Sequence, residues 1–151
     1  FVEKRNPREW LCLKRTVRFG DTDAAGVVHF HEMFRWCHET WEESLEKYGI
    51  VLLEIFPTTK INSCQLDVAL PIVHCEANYF KPLYVGDTIT IELNPEKLDE
   101  SSFVLRFKLV KNSEDIGSIN IKHASINPIT GERCTLSEQI NMWLYQSSLY
   151  Y

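Results

Sequence analysis

The chain has 151 residues, 44% hydrophobic and 12% aromatic, enough to fill the core of one domain of ordinary size. A formal net charge of −5 and a pI near 5.5 argue against a general binder of nucleic acid or anionic membranes and favour small-molecule chemistry, with local basic patches free to meet a phosphorylated ligand. Five cysteines, Cys12, Cys37, Cys64, Cys75 and Cys134, form an odd set without C-x-x-C spacing, which suits neither a disulfide framework nor a zinc knuckle and reads as reduced thiols in a cytoplasmic protein. Phe1 to Trp10 has no apolar leader core, and no segment approaches the roughly 20 apolar residues that span a bilayer.

From Leu11 to Phe19 the odd positions are apolar apart from Arg15 and the even positions Lys14, Thr16 and Arg18 are polar, the alternation of a half-buried strand. Met33, Phe34, Trp36, Cys37, Trp41, Leu45 and Tyr48 then recur at threes and fours, with Glu32, Arg35, Glu39, Glu42, Glu43, Glu46 and Lys47 on the other side. This predicts one amphipathic helix with a face wide enough to lie across a sheet, stopped by a left-handed Gly49. Ile50 to Phe56 has no clear period and reads equally as a short helix or an irregular crossing before Pro57.

The second half predicts strands near Ile72 to Tyr79, Thr88 to Leu98, Ser102 to Val110 and Gly117 to Asn127, with turns at 85 to 87 and 112 to 115. Asn127 to Gly131 reads as a further turn, and Leu136 to Leu144 as a short helix capped by Thr135 or Ser137. No repeat or linker divides the chain, so residues 1 to 151 read as a single α+β domain, a helix on a curved antiparallel sheet.

Between the first strand and the long helix stands Arg18-Phe-Gly-Asp-Thr-Asp-Ala-Ala-Gly-Val-Val-His-Phe-His31. A carboxylate beside a helix N-terminus faces unpaired backbone N–H groups, where a developing oxyanion is held while the acid attacks or activates water. The alternative is an Asp that merely accepts backbone N–H bonds in a turn. Gly26 reads as a close approach of backbone to ligand or as an ordinary turn glycine. His29 is a candidate for a substrate pocket, and His31 reads as a packing or surface residue.

Other chemistries lose their support. Arg35 stands where an H-E-x-x-H pattern starting at His31 needs its second histidine, so no metal is expected. His74, Cys75 and Glu76 are successive on a predicted strand and alternate faces, which rules out a simple Cys-His dyad. No G-x-S-x-G elbow, G-x-x-x-x-G-K-[ST] loop or G-x-G-x-x-G fingerprint occurs. Lys81, Arg106, Lys108, Lys111 and Lys122 are candidate partners for phosphate groups, and each alone reads more simply as part of a solvated strand face.

Val17 to Val28 together with Met33-Phe-Arg-Trp36 resembles the 4-hydroxybenzoyl-CoA thioesterase family of hotdog-fold enzymes. A second stretch, Leu70-Pro-Ile-Val-His-Cys-Glu-Ala-Asn-Tyr-Phe-Lys-Pro-Leu-Tyr-Val-Gly-Asp87, is similar to that family's next strand and turn, particularly in its 1,4-dihydroxy-2-naphthoyl-CoA branch. The resemblance implies an antiparallel sheet wrapped around a long central helix, assembled as a homodimer or homotetramer with active sites at subunit interfaces. It implies hydrolysis of an aromatic acyl-CoA in naphthoquinone (phylloquinone or menaquinone) synthesis, with coenzyme A as part of the substrate and no cofactor.

Carried over by position, the family's catalytic aspartate falls on Asp23, its oxyanion donor on the Phe30 backbone N–H, and a structural role on Asp21. Some acyl-CoA thioesterase relatives place a histidine where this chain has Phe30, with histidines here at 29 and 31 instead, which weakens transfer from those relatives and is compatible with the aryl-CoA branches. Asp23 then either attacks to give a mixed anhydride or deprotonates a water. The remaining alternatives are a broad acyl-CoA or acyl-carrier-protein thioesterase, and a module that binds acyl-CoA without cleaving it.

Overall fold

The computed structural model describes residues 5–56 and 68–150. In chain order its elements are α1 (Arg8–Leu11), β1 (Cys12–Thr16), α2 (Phe30–Tyr48), β2 (Ile72–Tyr79), β3 (Thr88–Asp99), β4 (Ser102–Lys111), β5 (Glu114–Ala124) and α3 (Glu138–Ser148), with single 3-10 turns at Phe19–Asp21 and Leu52–Glu54. All strand pairs are antiparallel in one sheet of order β1-β3-β4-β5-β2. The architecture is the expected α+β one.

The core follows from alternation on the strands and the 3.6 period of the helix. Ile89, Ile91 and Leu93 of β3, Phe103, Leu105, Phe107 and Leu109 of β4, and Ile119 and Ile121 of β5 point inward and pack with Met33, Trp36, Cys37, Trp41 and Leu45 of α2. Arg106 and Lys108 of β4, on the alternate positions, are exposed. Gly49 ends α2 at φ 121°, with its N–H donating to the carbonyls of Leu45 and Glu46, the left-handed stop that glycine accepts without a Cβ penalty.

Several boundaries differ from those read in the sequence. β1 ends at Thr16, where its pairing with Thr88 stops, and the chain then bends into the 3-10 turn, which leaves Phe19 82% exposed instead of inward. Leu11 closes the short helix α1, started by Pro7 and by the Arg8 N–H donating to Asn6 Oδ1. β5 begins at Glu114, three residues earlier than expected, because Asn112 (φ 50°) and Ser113 (φ 63°) complete a two-residue hairpin turn by themselves. It ends at Ala124, and only isolated bridges continue at Ile126.

Leu52–Glu54 settles the undecided segment as a 3-10 turn. α3 starts later than expected because Ser137, not Thr135, is its cap, with Oγ accepting the Ile140 N–H. Pro95 sits inside β3 beyond Glu92, where the pairing with β1 ends, so its missing N–H breaks no bond of the β1–β3 ladder. β2 forms one border of the sheet, and most of its residues are exposed.

Candidate active site

The loop from Val17 to His29 folds back on itself through backbone bonds that fix both of its ends. Val17 exchanges bonds with the turn at 86 and 87, its N–H donating to the Asp87 carbonyl and its carbonyl accepting the Gly86 N–H. Thr22 and Val28 form an antiparallel bridge, the Asp23 N–H donates to the Val27 carbonyl at 2.9 Å, and the Gly26 N–H donates to the Asp23 carbonyl at 3.0 Å. Gly26 turns the chain at φ 81° with open space where a Cβ would stand, so its glycine answers to backbone conformation and not to close packing. The Val28 N–H donates to the Leu83 carbonyl, which ties the loop to the segment after β2.

Asp23 lies exposed on this loop. Its Oδ1 accepts the Ala25 N–H at 2.8 Å, while Oδ2 has no hydrogen-bond partner among the described residues. It caps no helix: the N-cap of α2 is His29, whose Nδ1 accepts the His31 N–H at 3.5 Å. The first N–H groups of a helix have no carbonyl one turn earlier to bond. Here the Glu32 N–H donates to the His29 carbonyl and the His31 N–H to the His29 ring, which leaves the Phe30 N–H without an acceptor among the described residues.

Asp23, Val27, Val28, His29, Phe30 and Met33 form one side of a groove of about 420 Å³, and the stretch from Tyr79 to Leu83 forms the other. The acid and the helix start therefore share one cavity with an apolar and aromatic wall. The Tyr79 hydroxyl donates to the Phe30 carbonyl at 2.8 Å and pins the end of β2 to the first turn of α2. Gly117, paired with Tyr79, permits this junction: a Cβ there would stand 2.8 Å from the Asn78 carbonyl oxygen.

Gly26 is outside the groove wall, and His31 turns away to Glu32, Nε2 to Oε1 3.1 Å. Trp36 is fully buried and Phe34 packs on the core, so neither lines the groove. Asp21 is 5% exposed, with Oδ2 accepting the Arg18 N–H and Oδ1 accepting from Arg35. Sequence reasoning singled out neither Tyr79, Phe80 nor Leu83 as site residues; the available signal was an aromatic pair ending a strand just before Lys81-Pro82.

The candidate phosphate partners are mostly engaged: Lys81 with Glu114, Arg106 with Glu96, Lys108 with Asp115 and Lys111 with Asp87. Cys12, Cys37, Cys75 and Cys134 are free thiols, and Cys64 lies outside the described residues. Burial pushes the Cys37 thiol well above its ordinary pKa, so it is no nucleophile. A larger cleft of about 680 Å³ lies between β3 and α3, but Glu96 and Lys97 in its wall are paired with Arg106 and Glu100, and it meets the side of α3 instead of a helix start.

Residues 17–144 match the family described as the thioesterase-like superfamily. The chain belongs to that superfamily. It is 77% identical over 148 residues to a 1,4-dihydroxy-2-naphthoyl-CoA hydrolase of Prochlorococcus marinus strain NATL2A, a match covering 98% of this chain and 96% of that protein. It is 49% identical over 144 residues to a protein of the same description from strain MIT 9303, covering 95% of each.

Among solved structures, the thioesterase fold here superposes at TM-score 0.91 and 48% identity on a Prochlorococcus marinus MIT 9313 protein described as a thioesterase, covering 95% of this chain and 99% of that one. A 1,4-dihydroxy-2-naphthoyl-CoA thioesterase from Synechocystis shares the fold at TM-score 0.80 and 24% identity, over 89% and 95% of the two chains. The sheet carrying one long helix is thus the hotdog arrangement of thioesterases.

Proposed function

We propose that this thioesterase hydrolyses 1,4-dihydroxy-2-naphthoyl-CoA to the free acid and coenzyme A, a step of phylloquinone or menaquinone synthesis. The observation that carries the reading is the 77% identity, over nearly the whole chain, to a hydrolase of that thioester. The groove gives it a chemical basis: a carboxylate oxygen and a helix-start N–H that have no partner among the described residues, and an aromatic wall of Phe30, Tyr79 and Phe80 suited to a fused ring system.

In this reading Asp23 is the catalytic carboxylate and the Phe30 N–H takes the negative charge that builds on the thioester oxygen. As nucleophile, Asp23 adds to the carbonyl carbon, the C–S bond breaks, coenzyme A leaves as thiolate, and water hydrolyses the mixed anhydride to regenerate the acid. As base, Asp23 takes a proton from water while the hydroxide adds to the carbonyl, and the departing thiolate recovers that proton. Both routes use the same two groups and ask for no metal or redox cofactor. His29 lines the acyl part of the groove, and Gly26 supports it through the turn.

The protein acts as a homodimer or homotetramer with its sites at subunit interfaces. Supporting this, β2 is a bordering strand with Ile72, Val73 and Tyr79 each 45 to 49% exposed, and such an edge is normally paired or covered. Its compartment is the cytoplasm, in keeping with four free described thiols. The test is thiol release from 1,4-dihydroxy-2-naphthoyl-CoA, benzoyl-CoA and palmitoyl-CoA. A naphthoyl kcat/KM about tenfold or more above the others is expected. Preference for palmitoyl-CoA would point to a broad thioesterase, and tight binding without thiol release to a binding module; either contradicts the proposal.

A further inference from the structure

The charged side chains over the first turns of α2 form a connected set that the reaction described above leaves unused. Arg35 is at its centre: Nε donates to Glu32 Oε2 at 2.8 Å, Nη1 to Glu39 Oε1 at 2.9 Å and Nη2 to Asp21 Oδ1 at 3.0 Å. Glu39 also accepts from Arg15 of β1 at 2.6 Å, and the Arg15 guanidinium lies over the Trp36 ring. The set therefore joins β1, the 3-10 turn and α2.

Asp21 carries the connection to the site. Besides Arg35, its carboxylate accepts the Arg18 N–H at 2.9 Å, and its backbone carbonyl accepts the His29 N–H at 3.0 Å. Asp21 stands two residues before Asp23, and His29 one residue before Phe30. One buried acid thus touches the chain both just before Asp23 and just before Phe30, on the same wall of the groove, and one guanidinium holds that acid to the helix.

We propose that Arg35 is a positioning residue for the hydrolysis: its three-way fork to Asp21, Glu32 and Glu39 sets the Asp23 loop against the first turn of α2, and so aligns the carboxylate with the Phe30 N–H. The inference rests on the reading of Asp23 and Phe30 above. Only a planar guanidinium reaches three carboxylates in this way; an ammonium keeps the charge but loses the fork. The Arg35 side chain is 49% exposed but the Asp21 side chain it holds is buried, so losing the fork lowers stability as well, and the alignment effect is the part read in kcat, where a misplacement of about 1 Å costs on the order of 10²-fold in rate.

The experiment measures kcat, KM and Tm with 1,4-dihydroxy-2-naphthoyl-CoA for Arg35→Gln, Arg35→Lys, Asp21→Asn and the Arg35→Gln/Asp21→Asn double variant. Arg133→Gln, which removes a bond to Ser101 Oγ away from the groove, serves as control. Expected is a kcat about 10- to 100-fold lower in Arg35→Gln with KM within about threefold. Arg35→Lys should recover only part of the loss, and the double variant should be no slower than the slower single one. A folded Arg35→Gln protein with unchanged kcat, or full recovery in Arg35→Lys, overturns the proposal.

If Arg35→Gln does not fold, Arg35→Lys and Asp21→Asn decide on the same kcat criterion. Asp23→Asn, run alongside, separates the two readings. If it collapses while Arg35→Gln keeps its rate, Arg35 alone has been misassigned; if it keeps its rate, the reading of the acid fails and the positioning role with it.

Discussion

The two ends of α2 share one amphipathic pattern and meet opposite surroundings. In its second half Trp41 and Leu45 are fully buried, the His123 ring lies 4.4 Å from Trp41 and stacks on Phe103, and the Trp143 indole N–H donates to Ser44 Oγ. At its start Phe30 is 62% exposed, and the first N–H opens on a groove beside a carboxylate oxygen with no partner among the described residues. The difference teaches where chemistry can reside: the dry half yields cohesion from area and packing, while the open end keeps the unsatisfied donors that a packed helix end would have bonded.

This contrast breaks if either end does the other's work. The largest expected effect is on the dry side. Trp41→Ala should lower unfolding free energy by about 3–5 kcal/mol in urea denaturation, with the remaining folded protein turning over within about threefold of the parent. A loss of kcat without loss of stability would contradict the division.

Next comes Phe30→Pro, which deletes the N–H at the first helical position. Proline is tolerated there, and His29 before it is already extended at φ −66° and ψ 140°. With Phe30→Ala as control for the ring, kcat should fall a further 10²–10³-fold, roughly 2.7–4 kcal/mol of transition-state stabilisation, with Tm nearly unchanged. Equal rates in the proline and alanine variants would remove the backbone N–H from the mechanism.

The smallest effect belongs to His123. Burial pushes its pKa down to about 4, against the opposing bond to the Leu70 carbonyl and with help from His38, whereas the ordinary value is 6.5. Between those values the unfolded chain binds the proton and the folded one does not. Stability is therefore full above about pH 6.5 and declines as pH falls towards 4, by up to about 3 kcal/mol. A falling urea midpoint on acidification checks this, and His123→Gln should flatten the slope; an unchanged slope would assign the acid sensitivity to other groups.

Much of this was legible in the chain because periodicity reports burial directly. Trp36, Trp41 and Leu45 follow the helical period and are core, and Phe103, Leu105, Phe107 and Leu109 follow the strand period and are core. Where the reading slipped, a partner elsewhere decided: Phe19 kept the strand alternation, yet β1 stops where β3 begins, and nothing near Phe19 encodes that. Asp23 and Phe30 were reached through the family resemblance, and His29 and Gly26 through their place in the loop before the helix, although Gly26 lies outside the groove wall. Tyr79, Phe80 and Leu83 were not, because the opposite wall is brought to the groove by sheet order and by the Tyr79 bond to Phe30, which no local pattern states.

The most direct measurement of the central claim is thiol release from 1,4-dihydroxy-2-naphthoyl-CoA by the protein and its Asp23→Asn variant. The amide keeps the shape of the side chain and can still accept the Ala25 N–H through its oxygen, while the charged nucleophile or base is gone. The account predicts a kcat lower by about 10²–10⁴-fold in a folded protein that still binds the thioester. Equal turnover by the two proteins would contradict it.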